Sequence, residues 1–375
     1  MNSRHLLPLV SLAGLLSACG PDERPASGTS STTGSASGTA GASGSSGSNG
    51  SNGSSGATAT STSTGSGSSG AGSTGATSTG GTGGTSTGST GSALPINYPA
   101  DVTQSPLTPE IAANLRQIAQ AGFRIKEDVF SKVGDSNTVN TNFFACFAGN
   151  NVDLGSHTDL QSTLSFFKAG HADTTTPFDR VSECATVGWS AWAALSGNPS
   201  PLENEFGAVL PRYAVVMFGT NDIQARDPIR FGTNMLDIAE QLTNWGVIPI
   251  LSGIPPREDD AQADLWVPRY DAITRAVAQW KQVPFVDLTR ELRQLPGSGM
   301  GPDGLHMNTY SSGGARGCNL TPAGLQYGFN TRNLVTLTAL DRARNALLSL
   351  PAPDPTNAVT RIAGTGTLAD VALRL

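Results

Sequence analysis

Three short motifs along the chain carry side chains that could act together on a carbonyl group. A Gly-Asp-Ser ends at Ser136, a Gly-Thr-Asn-Asp contains Asn221, and an Asp-Gly-Leu-His runs from Asp303 to His306. A hydroxyl nucleophile, an amide donor and a histidine with a nearby carboxylate are the groups needed for acyl transfer through a covalent ester. The motifs therefore predict Ser136 as the nucleophile, His306 as the general base and Asp303 as the residue that orients the histidine.

The order of these motifs is more informative than any one of them, because Gly-Asp-Ser and Asn-Asp also occur in ordinary turns. A further glycine, Gly188 in Ala-Thr-Val-Gly-Trp, stands between the first two motifs. With these blocks in this order, residues 129–340 resemble the SGNH (GDSL-type) hydrolase family. The resemblance implies an ester hydrolase that needs no cofactor and no metal.

The resemblance also implies which groups would bind a developing oxyanion. They are the backbone N–H groups of Ser136 and Gly188 and the side-chain amide of Asn221. One position departs from the family pattern: Asn137 follows the serine, where the family often has an aliphatic residue. We therefore expect an intact nucleophile with a different pocket beside it.

Apolar runs alternate with segments of helical spacing, which predicts an α/β fold with a parallel sheet covered on both faces. Together with the resemblance, this gives a three-layer α/β/α sandwich, flavodoxin-like, with a central sheet of about five strands. The predicted strands are 129–133, 180–185, 213–218, 247–251 and 284–286, and the predicted helices are 109–121, 231–245, 268–281 and 331–348. Ligands bind outside the carboxyl ends of such strands, where Ser136, Gly188 and Asn221 all fall.

The chain has four histidines, and only His157, His171 and His306 follow the first few residues. His157 and His171 each have an Asp two residues later, so a metal pair is conceivable. No third ligand stands at a familiar spacing, which favours solvated loop histidines and predicts no metal site. His306, with Asp303 to fix its tautomer, is the stronger candidate for the base.

The two ends of the chain differ in composition from its centre. Residues 1–19 have a basic start, a short apolar stretch and a Leu-Ser-Ala-Cys that resembles a bacterial lipobox, so Cys19 is the predicted lipidated N-terminus. A plain secretory signal with an incidental cysteine is the alternative. Residues 20–95, rich in Gly, Ser and Thr, are predicted to form a disordered linker. The hydrolase domain is expected over 96–350, and no role is assigned to the tail at 351–375.

Composition narrows the expected partners. The net charge of -6 and the lack of a Lys/Arg cluster argue against a basic surface that would bind nucleic acid. We expect a monomer that contacts a membrane only through a lipid at Cys19. Because Gly20 rather than Asp follows Cys19, the predicted location is the bacterial cell envelope, at the outer rather than the inner membrane.

Three cysteines follow Cys19, and an exported protein can keep them oxidised. Cys146 lies ten residues after Ser136, and Cys318 lies twelve after His306. If Ser136 and His306 meet, the loops after them lie at one end of the sheet, which makes Cys146 and Cys318 plausible partners. Cys184 would then be a small core residue, although other pairings remain open.

The sequence thus favours a serine esterase acting on a small-molecule or polysaccharide ester, including acetyl esters on carbohydrate. Two alternatives stay open: an O-acyltransferase in which a sugar hydroxyl replaces water, and a non-catalytic envelope-binding lipoprotein on the same scaffold. Aromatic residues beside the motifs either form a platform for a sugar face or belong to the core. They are Phe143, Phe144, Trp189 and Trp192.

Overall fold

The computed structural model of the protein describes residues 95–348. The predicted export signal with Cys19, residues 20–94 of the predicted linker and the tail at 351–375 lie outside the described residues. None of the helices within the described part of the chain is both long and apolar enough to cross a membrane.

Four parallel strands form the central sheet in the order β1-β2-β3-β4. They are β1 Lys126–Gly134, β2 Pro211–Met217, β3 Ile248–Ser252 and β4 Phe285–Val286. Every residue of β2 and β3 is buried, as expected for strands covered on both faces. The prediction of an α/β fold with a parallel sheet is confirmed.

The helices join and cover the strands. The α-helices are α1 Pro109–Ala121, α2 Ser136–Val139, α3 Gln161–Lys168, α4 Ala191–Ala194, α5 Pro201–Val209, α6 Pro228–Asn244, α7 Ala261–Asp264, α8 Val267–Lys281, α9 Leu288–Leu292 and α10 Gly328–Leu348. Short 3₁₀ turns occur at Ala145–Ala148, Thr158–Leu160, Asp222–Ala225, Pro296–Gly299, Arg316–Cys318 and Gly324–Gln326. The crossover helices α6 and α8 pack on each other and on β3, while α10 packs on α3 and β4.

The predicted strand at 180–185 is reduced to a single parallel bridge between Ala185 and Gly134. This bridge lies beside β1, so the segment occupies the place of a fifth, edge strand. Just before the bridge, side chains accept hydrogen bonds from backbone N–H groups that could otherwise pair with a neighbouring strand. The Glu183 N–H donates to a Glu205 carboxylate oxygen at 2.9 Å, and the Cys184 N–H donates to Ser182 Oγ at 3.0 Å. Such local bonds compete with strand pairing.

A cluster of phenylalanines fills the space between β1 and the segments that follow it. Phe130 on β1 makes edge-to-face contacts with three other rings, at centroid distances of 5.2 to 5.4 Å. These rings are Phe144, Phe167 and Phe178, and all are fully buried. Through the contact between Phe130 and Phe144, the cluster packs the segment after α2 against β1.

Candidate active site

Ser136, His306 and Asp303 form a hydrogen-bonded chain just beyond the carboxyl end of β1. Nε2 of His306 lies 2.8 Å from Oγ of Ser136, and Nδ1 of His306 lies 2.6 Å from a carboxylate oxygen of Asp303. Because a carboxylate can only accept, the ring proton sits on Nδ1 and leaves Nε2 to accept from the serine hydroxyl. This arrangement can remove the hydroxyl proton while the oxygen attacks a carbonyl carbon.

The loop that carries Asp303 and His306 fixes their relative orientation. The second oxygen of Asp303 accepts from the backbone N–H groups of Leu305 and His306, at 3.1 and 3.0 Å. The hydrogen bond to the His306 ring, helped by these backbone bonds, lowers the pKa of Asp303 to about 2. Asp303 therefore remains ionised at neutral pH and holds the proton on Nδ1.

Gly304 lets this loop pack closely against the segment after β3. Its φ is 65°, and an added Cβ would lie 2.5 Å from the backbone nitrogen of Asp259. That nitrogen donates to the Gly304 carbonyl at 3.2 Å. A side chain at position 304 would therefore push the catalytic loop away from its support.

Ser136 is the first residue of α2, so its backbone N–H is one that no carbonyl within the helix can accept. Asp135 caps the helix by accepting from the Asn137 N–H at 3.0 Å. Burial raises the pKa of Asp135 to about 6, against the opposing charge of Arg332. From α10, the buried Arg332 donates to the Asn137 carbonyl at 2.7 Å and to Thr138 Oγ at 3.1 Å. The serine turn is thus held by a residue from the far end of the domain.

Gly188 and Asn221 lie at the same edge of the sheet as Ser136. Gly188 comes three residues after the bridge between Ala185 and Gly134, has a φ of 79°, and has open space where a Cβ would be. Asn221 donates one amide hydrogen to the Trp189 carbonyl at 2.8 Å, which places it beside the Gly188 turn. Its second amide hydrogen remains available for a ligand.

Asp222 connects the Asn221 loop to α4. Its carboxylate accepts from the Ala191 N–H at 3.0 and 3.2 Å. Burial raises the pKa of Asp222 to about 6, and the bond from Ala191 opposes that effect. Asp222 therefore fixes the loop that presents Asn221 against α4.

The aromatic residues near the motifs divide into two groups. Phe143 and Phe144 are fully buried and stack at 4.5 Å, so they belong to the core. Trp192, on α4, is 50% exposed and has the Arg230 guanidinium 5.9 Å from its ring. Trp189 is partly buried against the core, so Trp192 is the one of these four residues with a largely exposed side chain.

The remaining candidates from the sequence are three cysteines and two histidines. Cys146 and Cys318 are joined in a disulfide with a Cα separation of 5.8 Å, and Cys184 is a buried free thiol. His157 precedes the 3₁₀ turn at Thr158–Leu160, and His171 is exposed. Within residues 95–348, no group of three His, Cys, Asp or Glu side chains is arranged to hold a metal ion.

Two arginines that support the site do not stand out in the motifs. Arg332 lies in the run of residues 330–333 on α10, which is polar and yet buried, so the sequence carried no signal for it. Arg257 follows Ile-Pro-Pro directly after β3 and is only 4% exposed. Its place at the carboxyl end of a strand was the signal, because ligand-binding loops gather there.

Comparison with known proteins gives one family match and several distant structural similarities. Residues 133–310 match the sequence model of the GDSL-like Lipase/Acylhydrolase family. A catalytic mutant of Axe2, an acetylxylan esterase from Geobacillus stearothermophilus, superposes with a TM-score of 0.37 at 11% identity, covering 58% of this chain and 96% of that one. LAE5, an alpha/beta hydrolase enzyme from the metagenome of Lake Arreo, Spain, gives 0.38 at 16% identity, covering 59% and 98%. No functionally curated protein sequence is significantly similar.

Proposed function

We propose that the protein is an ester hydrolase that works through Ser136, His306 and Asp303, since residues 133–310 match the GDSL-like lipase/acylhydrolase family model. The observation that carries this proposal is the continuous chain from Ser136 Oγ to His306 Nε2 at 2.8 Å and from His306 Nδ1 to Asp303 at 2.6 Å. In this mechanism the serine forms an acyl-enzyme, which water then hydrolyses.

In the acylation step, His306 Nε2 takes the Ser136 proton as Oγ bonds to the ester carbon. The resulting imidazolium gives that proton to the leaving alkoxide, and the acyl group stays on Oγ. In the second half, the neutral ring removes a proton from water, the hydroxide attacks the acyl-enzyme, and the proton returns to Oγ. Asp303, ionised throughout, stabilises the imidazolium in both halves.

The negative charge on the carbonyl oxygen would be bound by three donors: the backbone N–H groups of Ser136 and Gly188 and the free amide hydrogen of Asn221. Asn221 is preorganised for this task, since its other amide hydrogen is already held by the Trp189 carbonyl at 2.8 Å. Donors that are fixed before the reaction stabilise the transition state without reorganising.

For the substrate, we propose carboxylic esters, including acetyl esters on carbohydrate. Two features support this choice. The side chains of His306 and Asp303 are 32% and 54% exposed, so a bulky alcohol such as a sugar chain can reach the site from solvent. Trp192 is half exposed on α4, which is tied to the Asn221 loop, and an exposed aromatic ring can pack against a sugar.

The experiment is hydrolysis of acetyl, butyryl and long-chain nitrophenyl esters and of acetylated polysaccharide by wild type and Ser136→Ala. We expect Ser136→Ala to lower kcat by on the order of 10³-fold or more with the fold intact. Ser165→Ala, on the exposed side of α3, is the matched control and should retain activity. Turnover by Ser136→Ala at the wild-type rate would remove Ser136 from the mechanism.

We also propose that the enzyme is a lipoprotein of the bacterial cell envelope, anchored at Cys19, with the linker at 20–95 between the anchor and the hydrolase domain. The lipobox pattern and the composition of the linker support this. Metabolic labelling with a fatty acid tests it: wild type should carry the label and fractionate with membranes, and Cys19→Ser should not. Equal labelling of both proteins would contradict the anchor.

A further inference from the structure

The Arg257 side chain bonds to the Asn221 loop, at Thr220 and Gln224, and to Asp259 in its own segment. Nη1 donates to the Thr220 carbonyl at 2.7 Å, one residue before Asn221. Nε and Nη2 donate to the two carboxylate oxygens of Asp259, at 2.7 and 2.8 Å. With its amide oxygen turned towards the guanidinium, Gln224 also accepts from Nη2 at 2.9 Å.

Asp259 extends this connection to the loop of the proposed base. Its backbone N–H donates to the Gly304 carbonyl at 3.2 Å, between Asp303 and His306 in the chain. The lack of a side chain at Gly304 allows the contact, since a Cβ there would meet the Asp259 nitrogen at 2.5 Å. The path therefore runs from Thr220 through Arg257 and Asp259 to Gly304.

We infer that Arg257 is a positioning residue that sets the distance between the oxyanion donor Asn221 and the Asp303–His306 pair. The inference rests on the proposed function. These two loops follow different strands and are more than 80 positions apart in sequence. A displacement of about 1 Å between an oxyanion donor and a base is enough to cost on the order of 10²-fold in rate.

The geometry of the side chain explains why an arginine stands here. A guanidinium presents its donors in a planar fork, so it can bind a carboxylate through two atoms while a third donor reaches a carbonyl. An ammonium at the same place has no such fixed directions. Arg257 is nearly buried, and the fork is therefore held in one orientation.

The test compares kcat and KM of Arg257→Ala, Arg257→Lys and the matched control Arg293→Ala. The Arg293 side chain donates to Asp264, at 2.8 and 2.9 Å, and to neither of the two loops. Asp264 also accepts from the Arg257 backbone N–H at 2.9 Å, a bond that both Arg257 variants keep. We expect both Arg257 variants to lose on the order of 10²-fold in kcat with little change in KM, and Arg293→Ala to keep both constants. Thermal unfolding of each variant measures its folded fraction. A loss of kcat that only follows the folded fraction would overturn the inference.

A double-mutant cycle tests whether Arg257 acts through Asp259. If the two residues belong to one link, Asp259→Ala combined with Arg257→Ala should lower kcat no further than Arg257→Ala alone. Multiplicative effects in the double variant would contradict the link.

Two further results separate this inference from the proposed function. Loss of activity in Ser136→Ala with full kcat in Arg257→Ala would leave the function standing and reject the positioning role. If Ser136→Ala stayed active, the proposed function would be rejected. The proton NMR signal of His306 Nδ1–H would still test whether Arg257 positions the His306 loop. That signal, assigned by its absence in His306→Ala, should broaden in Arg257→Ala and not in Arg293→Ala, and an unchanged signal rejects the inference.

Discussion

Both ring nitrogens of His306 are occupied before any substrate arrives, and this determines what the side chain can do. Asp303 holds the proton on Nδ1, so Nε2 faces Ser136 as an acceptor. A histidine without such a carboxylate would exchange between tautomers and would be in the reactive form for only part of the time. At the scale of single residues, the chemistry available to this site therefore depends on the Asp303–His306 pair as well as on the serine.

This pairing predicts that His306 alone among the histidines supports catalysis. His306→Ala should lower kcat by on the order of 10³-fold or more, because the serine then lacks its base. His157→Ala and His171→Ala are matched controls and should retain kcat. Steady-state hydrolysis of a nitrophenyl acetate by the three variants checks the prediction. A comparable loss in either control would show that a second histidine takes part.

Asn221 carries the second prediction at this scale. Asn221→Ala removes the free amide donor and should cost roughly 10²-fold in kcat, the usual effect of losing one oxyanion donor. Asn221→Asp should cost at least as much, because an ionised carboxylate cannot donate and would face the Trp189 carbonyl. The measurement is kcat and KM for both variants. An effect on KM alone would mean that Asn221 binds substrate without stabilising the transition state.

At the scale of elements, long periodic segments were predictable from the sequence. The helix predicted at 109–121 is α1 with the same bounds, because Thr108 caps it, Pro109 opens it and Gly122 ends it. The helix predicted at 268–281 begins one residue earlier in the structure. Local chemistry was sufficient for such elements, since capping and periodicity depend on near neighbours.

Other parts of the fold depend on partners distant in the chain, and the sequence alone did not reveal them. The segment at 180–185 reads as a strand by its residues, yet Glu205 from α5 takes the backbone N–H of Glu183. The arginines that brace the serine turn and the two loops were missed for the same reason. Arg332 reaches Asn137 across 195 positions, and Arg257 reaches Thr220 across 37.

Asp271 gives a prediction that belongs to the joint between β3, α8 and α9. Its carboxyl accepts from the Ile254 N–H at 2.9 Å and contacts the Thr289 hydroxyl, which also contacts the Ile254 carbonyl. The hydroxyl has one proton, and the carbonyl can only accept. Thr289 can therefore donate to Asp271 or to Ile254 but not to both, and protonation of Asp271 lets the acid donate to Thr289 while Thr289 donates to Ile254. Burial raises the pKa of Asp271 to about 7, and the hydrogen bonds from Thr289 and from the Ile254 N–H oppose that effect.

The sign of the pH effect follows from that raised pKa. Between about pH 4 and 7 the folded state binds a proton that the unfolded state has released, so the contribution to stability is complete below about pH 3.9 and is lost as the pH rises through 7. Asp271→Asn imitates the protonated acid without titrating. We expect its free energy of unfolding to fall less steeply between pH 5 and 7, by up to about 1.4 kcal/mol per pH unit.

Denaturant unfolding at a series of pH values measures this slope. Asp159→Asn, on an exposed turn, controls for the change in net charge. Asp135 and Asp222 also have raised pKa values, so Asp271→Asn should flatten the slope without removing it. Equal slopes in wild type and Asp271→Asn would show that Asp271 is ionised in the folded protein.

At the scale of the whole molecule, the last third of the domain is folded back onto the segment that follows Ser136. Asn333 on α10 donates to the carbonyls of Asn142 and Gly317, both at 2.9 Å, and accepts from the Phe144 N–H at 3.1 Å. The disulfide between Cys146 and Cys318 closes the same junction covalently, across 172 positions. The serine turn and the start of α10 therefore share one support.

The last prediction concerns this disulfide. Replacing Cys146 and Cys318 together by serine should lower the free energy of unfolding by at most roughly 5 kcal/mol, the chain-entropy value for a closed segment of this length. It should also lower kcat, because the loops after Ser136 and His306 lose a shared clamp. Guanidinium chloride unfolding with and without a reductant measures the first effect, and the double variant should no longer respond to the reductant. Cys184→Ala, which removes a buried thiol without touching the disulfide, is the control and should keep the response. Recovery of Cys146 or Cys318 as a free thiol, or bonded to Cys184, in non-reduced peptide maps of exported protein would reject the pairing.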